Sequence, residues 1–124
     1  MYYKSRVHKI IYEDQIIKNN TKCSEEYLAA VYLLCAEKEL WKVARYAISK
    51  RTIDFEEIGR HSLSLYGYSL YKTAQDIYTG STHLTLKDIR DKYLIGEKMF
   101  EMIITALRIG REGYSFIGIS KVFN

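Results

Sequence analysis

Proline is absent from this 124-residue chain. The usual helix stops are therefore missing, and Gly, Asn and Ser are left to punctuate it. No apolar run approaches the roughly 18 residues needed to cross a bilayer. The first residues, "MYYKSRVHK", carry neither the apolar segment nor the small-residue cleavage site of a secretory signal. The expectation is a cytoplasmic protein with no membrane contact. Cysteine is scarce: Cys23 and Cys35 are the two present, and without an export signal both read as free thiols. Cys35, within "AVYLLCA", reads as a small buried hydrophobe. No dense acidic run exists, which excludes a protein that mimics DNA. The formal charge of +4 and pI near 9.0 are compatible with nucleic acid without requiring it.

Motifs that carry chemistry are also lacking. His8, His61 and His83 lie in separate segments, none beside a Cys, His or acid at metal-ligand spacing. There is no glycine-rich phosphate loop and no Gly-x-Ser-x-Gly elbow, and Glu56 and Glu57 are adjacent acids in a polar stretch rather than a pair flanked by apolar residues. The expectation is a non-enzymatic protein without metal or cofactor.

What is present is helical periodicity in a composition of 48% apolar and 27% charged residues, enough for one core and one domain over residues 1–124. Residues 5–18 set Val7, Ile10, Ile11 and Ile17 on one arc, after which "NNTKC" breaks the pattern. Ser24, followed by Glu25 and Glu26, is an N-cap with acids in the first turn, where the helix dipole favours them. The body "YLAAVYLLCA" is apolar on all sides, as befits a central helix. In "EKELWKVARYAISKR", Leu40, Val43, Ala44, Ala47 and Ile48 share one face, and the polar "TIDFEEIGRHS" reads as a linker. "SLSLYGYSLY" begins like a strand. A lone four-residue alternation is marginal, so residues 62–68 read as an irregular entry. The helix is expected from an N-cap at Ser69 through Leu70, Ala74, Ile77 and Tyr78 to Gly80.

Thr85 in "TLKD" opens a short helix through a capping box and ends it near Lys92. Residues 97–109 put Met99, Phe100, Ile103, Ile104, Ala106 and Leu107 on one face, stopped by Gly110 and Gly113. "YSFIGISKVF" is β-branched and aromatic and reads as extended. The fold class is all-α, a single compact domain of five or six helices with a short extended C-terminal arm.

Three features bear on partners. Twelve tyrosines raise base stacking, but Tyr78 lies on the stripe of Leu70 and Ala74 and reads as core. Tyr2 and Tyr3, beside Lys4 and Arg6 at a mobile end, are freer to touch a partner. Residues 85–109 have the size of a helix-turn-helix, although the outward Glu97 and Glu101 would repel phosphates. Lys38, Lys42 and Arg45 sit within about 60° of one another on a helix, opposite the apolar face and extended by Lys50 and Arg51. Only Glu39 interrupts this charge, and the stripe reads as an electrostatic contact to nucleic acid or to an acidic patch on a protein.

Taken together, "VHKIIYED", "YLAAVYLL", "SLYKTAQDIYTG" and "MIITALRIG" resemble the motif order of an uncharacterised family of small helical proteins from low-GC Gram-positive bacteria and their phages. The likeness covers most of residues 5–111. The chain departs from it in "DIYTG", where the family usually has Asn before the Gly, and in the tail after Gly113. The resemblance implies a helical domain and a mobile-element setting and carries over no functional residues. The reading that follows is a phage or mobile-element accessory protein that engages or inhibits a host protein or nucleoprotein, for example a CRISPR or other defence effector. The alternative is a small DNA-binding regulator using residues 85–109.

Overall fold

The apolar helix at the centre of the sequence is also the centre of the fold. In the computed structural model, which describes residues 1–18 and 23–118, helix α2 (Glu25–Leu34) buries every residue from Tyr27 to Leu34. Its start is set by Ser24, whose hydroxyl accepts the Tyr27 N–H at 3.1 Å. Two long helices, α5 (Leu65–Thr79) and α7 (Glu97–Glu112), pack along it. Helix α1 (Arg6–Lys18) packs on α2 and α3 (Lys38–Ala44) follows α2. A 3-10 turn (Arg45–Ala47), a two-stranded ribbon of β1 (Ile48–Ser49) and β2 (Thr52–Ile53), and α4 (Phe55–Gly59) lead into α5. Helices α6 (Leu86–Arg90) and α8 (Tyr114–Ile117) are short. Leu28, Leu33 and Leu34 are wholly enclosed, each burial being favourable by about 1.5–3 kcal/mol.

The chain is mostly helical, as expected, with eight helices rather than five or six among the described residues. The ribbon means that it is not strictly all-α. The additional helices are α4, inside the stretch that read as a polar linker, and α8, inside the stretch that read as extended. Asp54 accepts the Glu57 N–H at 3.1 Å and caps α4, which buries Phe55 and Ile58 inside the supposed linker. Ser64, not Ser69, caps α5 through the Gly67 N–H at 2.9 Å, so most of "SLSLYGYSLY" is helix. Gly80 ends α5 at φ 78°, a left-handed conformation that glycine adopts without steric cost. The Thr85 capping box opens α6 as expected. Helix α7 runs through Gly110 and stops at Gly113. Residues 114–117 are helical rather than extended, and the rest of the expected arm, residues 119–124, lies outside the described residues, as do residues 19–22 of "NNTKC".

Helix α1 buries a different face from the one its aliphatic residues mark, and α7 buries a face rotated from the expected one that keeps Met99, Ile103 and Ala106. On α1 the buried residues are His8, Tyr12 and Ile16, whereas Val7, Ile10 and Ile17 are exposed. The polar atoms of the buried face have partners: the Tyr12 hydroxyl donates to the Leu28 carbonyl at 2.8 Å. Bonded in this way, the larger aromatic rings can be enclosed without an unsatisfied group. Tyr3, His8, Tyr12 and Tyr32 then form one ring cluster. The Tyr32 hydroxyl donates to the Tyr2 carbonyl at 2.6 Å, so Tyr2 and Tyr3 pack against the core and are not a free end. On α7 the buried side is Met99, Met102, Ile103, Thr105, Ala106 and Ile109, which leaves Phe100, Ile104 and Leu107 exposed.

Candidate functional site

The basic residues singled out in the sequence fall on three consecutive elements rather than one helix. Helix α3 buries Leu40 and Ala44, and Ala47 is buried in the 3-10 turn, so Lys38, Lys42 and Arg45 are exposed on the other side. They are not a uniform stripe. Lys42 Nζ lies 3.4 Å from Glu39 Oε1, an i,i+3 pair with the one acid that interrupts the charge. Both partners are solvated, so the pair is worth at most about 1 kcal/mol and the lysine remains open to a second anion. The Arg45 guanidinium lies 4.7 Å from the centre of the Tyr46 ring and donates to its hydroxyl at 2.6 Å. Together they form a flat, cationic, aromatic plate whose tyrosine is 76% exposed.

Lys50 and Arg51 form the tip of the ribbon. The pairing of Ser49 with Thr52 leaves these two residues as the whole loop, both at positive φ (50° and 63°). That is the pattern of a type I′ hairpin turn, where Asn-Gly is preferred because other side chains resist the left-handed region. The Thr52 hydroxyl donates to the Ser49 carbonyl at 2.6 Å and helps hold the turn shut. Two long basic side chains thus occupy positions that local backbone chemistry disfavours.

A groove of about 600 Å³ adjoins the plate. Ile10, Ile11, Asp14, Gln15 and Lys18 of α1 line one side, and Trp41, Arg45 and Tyr46 the other. Trp41 and Tyr46 were not singled out as site residues in the sequence. Their signal is the interleaving of aromatic and basic residues in "WKVARY", a pattern suited to stacking beside charge.

A second concavity, about 430 Å³, lies between α5, α6 and α7, with Ile77, Leu84, Ile89, Ile103 and Leu107 among its lining residues. At its edge, Asp76, Ser81 and His83 meet although they are spread over eight residues. Asp76 accepts bonds from the Ser81 hydroxyl (2.8 Å), the Leu84 N–H (2.8 Å) and the His83 N–H (2.8 Å). His83 Nδ1 also lies 2.7 Å from its carboxylate. Burial raises the carboxyl pKa, but the bonds from Leu84, His83 and Ser81 outweigh it and hold the group below its ordinary value. The residue types are those of a nucleophilic triad, but the geometry is not. Ser81 Oγ lies 3.3 Å from Nδ1, the same nitrogen that faces Asp76, so the ring cannot relay a proton between them. The cluster instead closes the turn after α5.

The remaining sequence features have structural settings. Tyr78 packs on Phe55 at 5.4 Å between ring centres, the Tyr71 hydroxyl donates to the Phe55 carbonyl at 3.0 Å, and Tyr68 is half exposed. Cys35 is buried, which pushes its thiol pKa up. Among the described residues no group of three or more His, Cys, Asp or Glu side chains could hold a metal ion, and no helix is long and apolar enough to cross a membrane. In the segment 85–109, α6 spans only five residues, and α7 packs one side against α2 while Phe100, Ile104 and Leu107 stay exposed. The sequence matches no protein-family model and no curated protein, and the fold matches no solved structure.

Proposed function

We propose that this chain is a non-enzymatic binding protein, an accessory of a phage or mobile element. Its partner is an acidic host protein or nucleoprotein, such as a CRISPR or other defence effector, held through Lys38, Lys42, Arg45, Lys50 and Arg51. The observation that carries the reading is the ribbon tip, where Lys50 and Arg51 occupy two left-handed positions. A backbone conformation kept at a cost of about 1–2 kcal/mol per residue for exposed cations points to a use for those cations. The Arg45–Tyr46 plate supports it, because a ring beside a guanidinium suits a partner that offers both charge and a flat apolar face. The mobile-element setting comes from the family resemblance.

The test is a pull-down from lysate of a low-GC Gram-positive host, with and without nuclease, comparing wild type with Lys42→Glu/Arg45→Glu. The expected result is a defined host protein retained by the wild type at low salt and lost with the variant. Identical recovery by both proteins would refute the reading. A gel shift with bare duplex DNA across a salt series separates the regulator alternative, which requires tight binding with steep salt dependence.

A further inference from the structure

The outer face of α7 is apolar at its middle and oppositely charged at its two ends. At 100° per residue, Ile104 marks the centre of this face. Phe100 and Leu107 flank it, Glu97 and Glu101 lie towards the N-terminus, and Arg108 and Arg111 lie towards the C-terminus. All seven are exposed, Ile104 by 41% and Leu107 by 50%. This arrangement is self-complementary.

We infer that α7 pairs with α7 of a second copy of this chain, antiparallel, about a two-fold axis through Ile104. Such an axis sets each residue opposite the one equally far from Ile104 on the other side, so the contact is isologous. Ile104 meets Ile104, and Glu97 meets Arg111 twice. The axis keeps each residue on its own edge of the seam, so Arg108, about 40° to one side of Ile104, faces Glu101, about 60° to the same side, while in its own chain it holds Glu112 at 2.7 Å and lies 4.8 Å from the Phe116 ring. Phe100 and Leu107, about 40° and 60° to the other side, meet across the seam. A parallel pairing would instead set Glu97 against Glu97 and Arg111 against Arg111. Charge therefore selects both the partner and its direction. Nucleic acid does not fit this face, because Glu97 and Glu101 would repel phosphates.

The experiment is sedimentation velocity of the full chain over a range of concentrations, with circular dichroism to check folding. Wild type is expected to dimerise. Ile104→Glu places two like charges across the axis and should weaken association at least tenfold. Glu97→Arg and Arg111→Glu should each weaken it by on the order of tenfold. Combined in one chain, Glu97→Arg/Arg111→Glu should restore it, because the reversed charges again face each other. Four results would each overturn the inference: a wild type that stays monomeric throughout, a dimer indifferent to Ile104→Glu, single reversals without effect, or a double reversal no better than the single ones.

Discussion

The imidazole of His8 and the carbonyl of Tyr32 are joined by a 2.8 Å hydrogen bond in the core, tying α1 to the second half of α2. The other ring nitrogen, Nδ1, accepts the Lys4 N–H at 3.1 Å. One nitrogen accepting and one donating requires the neutral ring with its proton on Nε2. A second proton, on Nδ1, would meet the Lys4 N–H. Burial, reinforced by the Lys4 charge and opposed by the Tyr32 bond, lowers the His8 pKa from 6.5 to about 4.

The sign of the pH dependence follows. Between pH 6.5 and about 4 the unfolded chain binds a proton at His8 that the folded chain does not, so acid favours unfolding. The stabilisation is fully present above pH 6.5 and is lost as pH falls towards 4, by at most about 3 kcal/mol. Asp76 acts in a separate window, below its ordinary value of 3.8. Urea melts at pH 7 and pH 4.5 should show the loss, and His8→Gln should flatten the difference while lowering stability at pH 7. A wild type equally stable at both pH values would contradict the buried neutral ring.

Leu34 and Ile104 both have the periodicity of core residues, but only Leu34 is fully buried. Leu34→Ala is expected to cost about 2–5 kcal/mol. For Ile104→Ala, with the side chain 41% exposed, the expected cost is below about 1 kcal/mol. Denaturant titrations of the two variants decide it, and equal losses would mean that the buried face of α7 is misassigned.

Where the sequence carried a sharp local signal, it located structure well. The Ser24 cap, the Thr85 capping box, Gly80 as the end of α5 and the apolar α2 all rest on chemistry within one or two turns. Faces were less legible. On α1, aliphatic residues mark one arc and His8 and Tyr12 another, and the second is buried because carbonyls of α2 satisfy its polar atoms. Those partners are distant in sequence. The break after Ala44 was hidden because Ala47 and Ile48 continue the helical spacing of Leu40, Val43 and Ala44, and no Asn-Gly announces the turn. The basic residues could be listed from the sequence, but the Arg45–Tyr46 plate and the left-handed tip depend on that break.

The tip separates stability from binding. Replacing Lys50→Asn together with Arg51→Gly supplies the residues a type I′ turn prefers and should raise stability by about 1 kcal/mol. On the proposed reading the same variant should bind the host partner more weakly. A thermal melt and a binding titration measure the two effects. A more stable variant with undiminished affinity would show that these cations do not serve binding.

The charge on α3 and the 3-10 turn can be inverted without touching the core, since Lys42 and Arg45 are both exposed. The decisive measurement is the affinity of Lys42→Glu/Arg45→Glu, against wild type, for the partner recovered from the host, titrated over a salt series. We expect a variant with unchanged circular dichroism and melting that binds at least about tenfold more weakly at low ionic strength, the difference shrinking as salt screens the surface. A folded variant with wild-type affinity at low ionic strength would contradict the proposed reading.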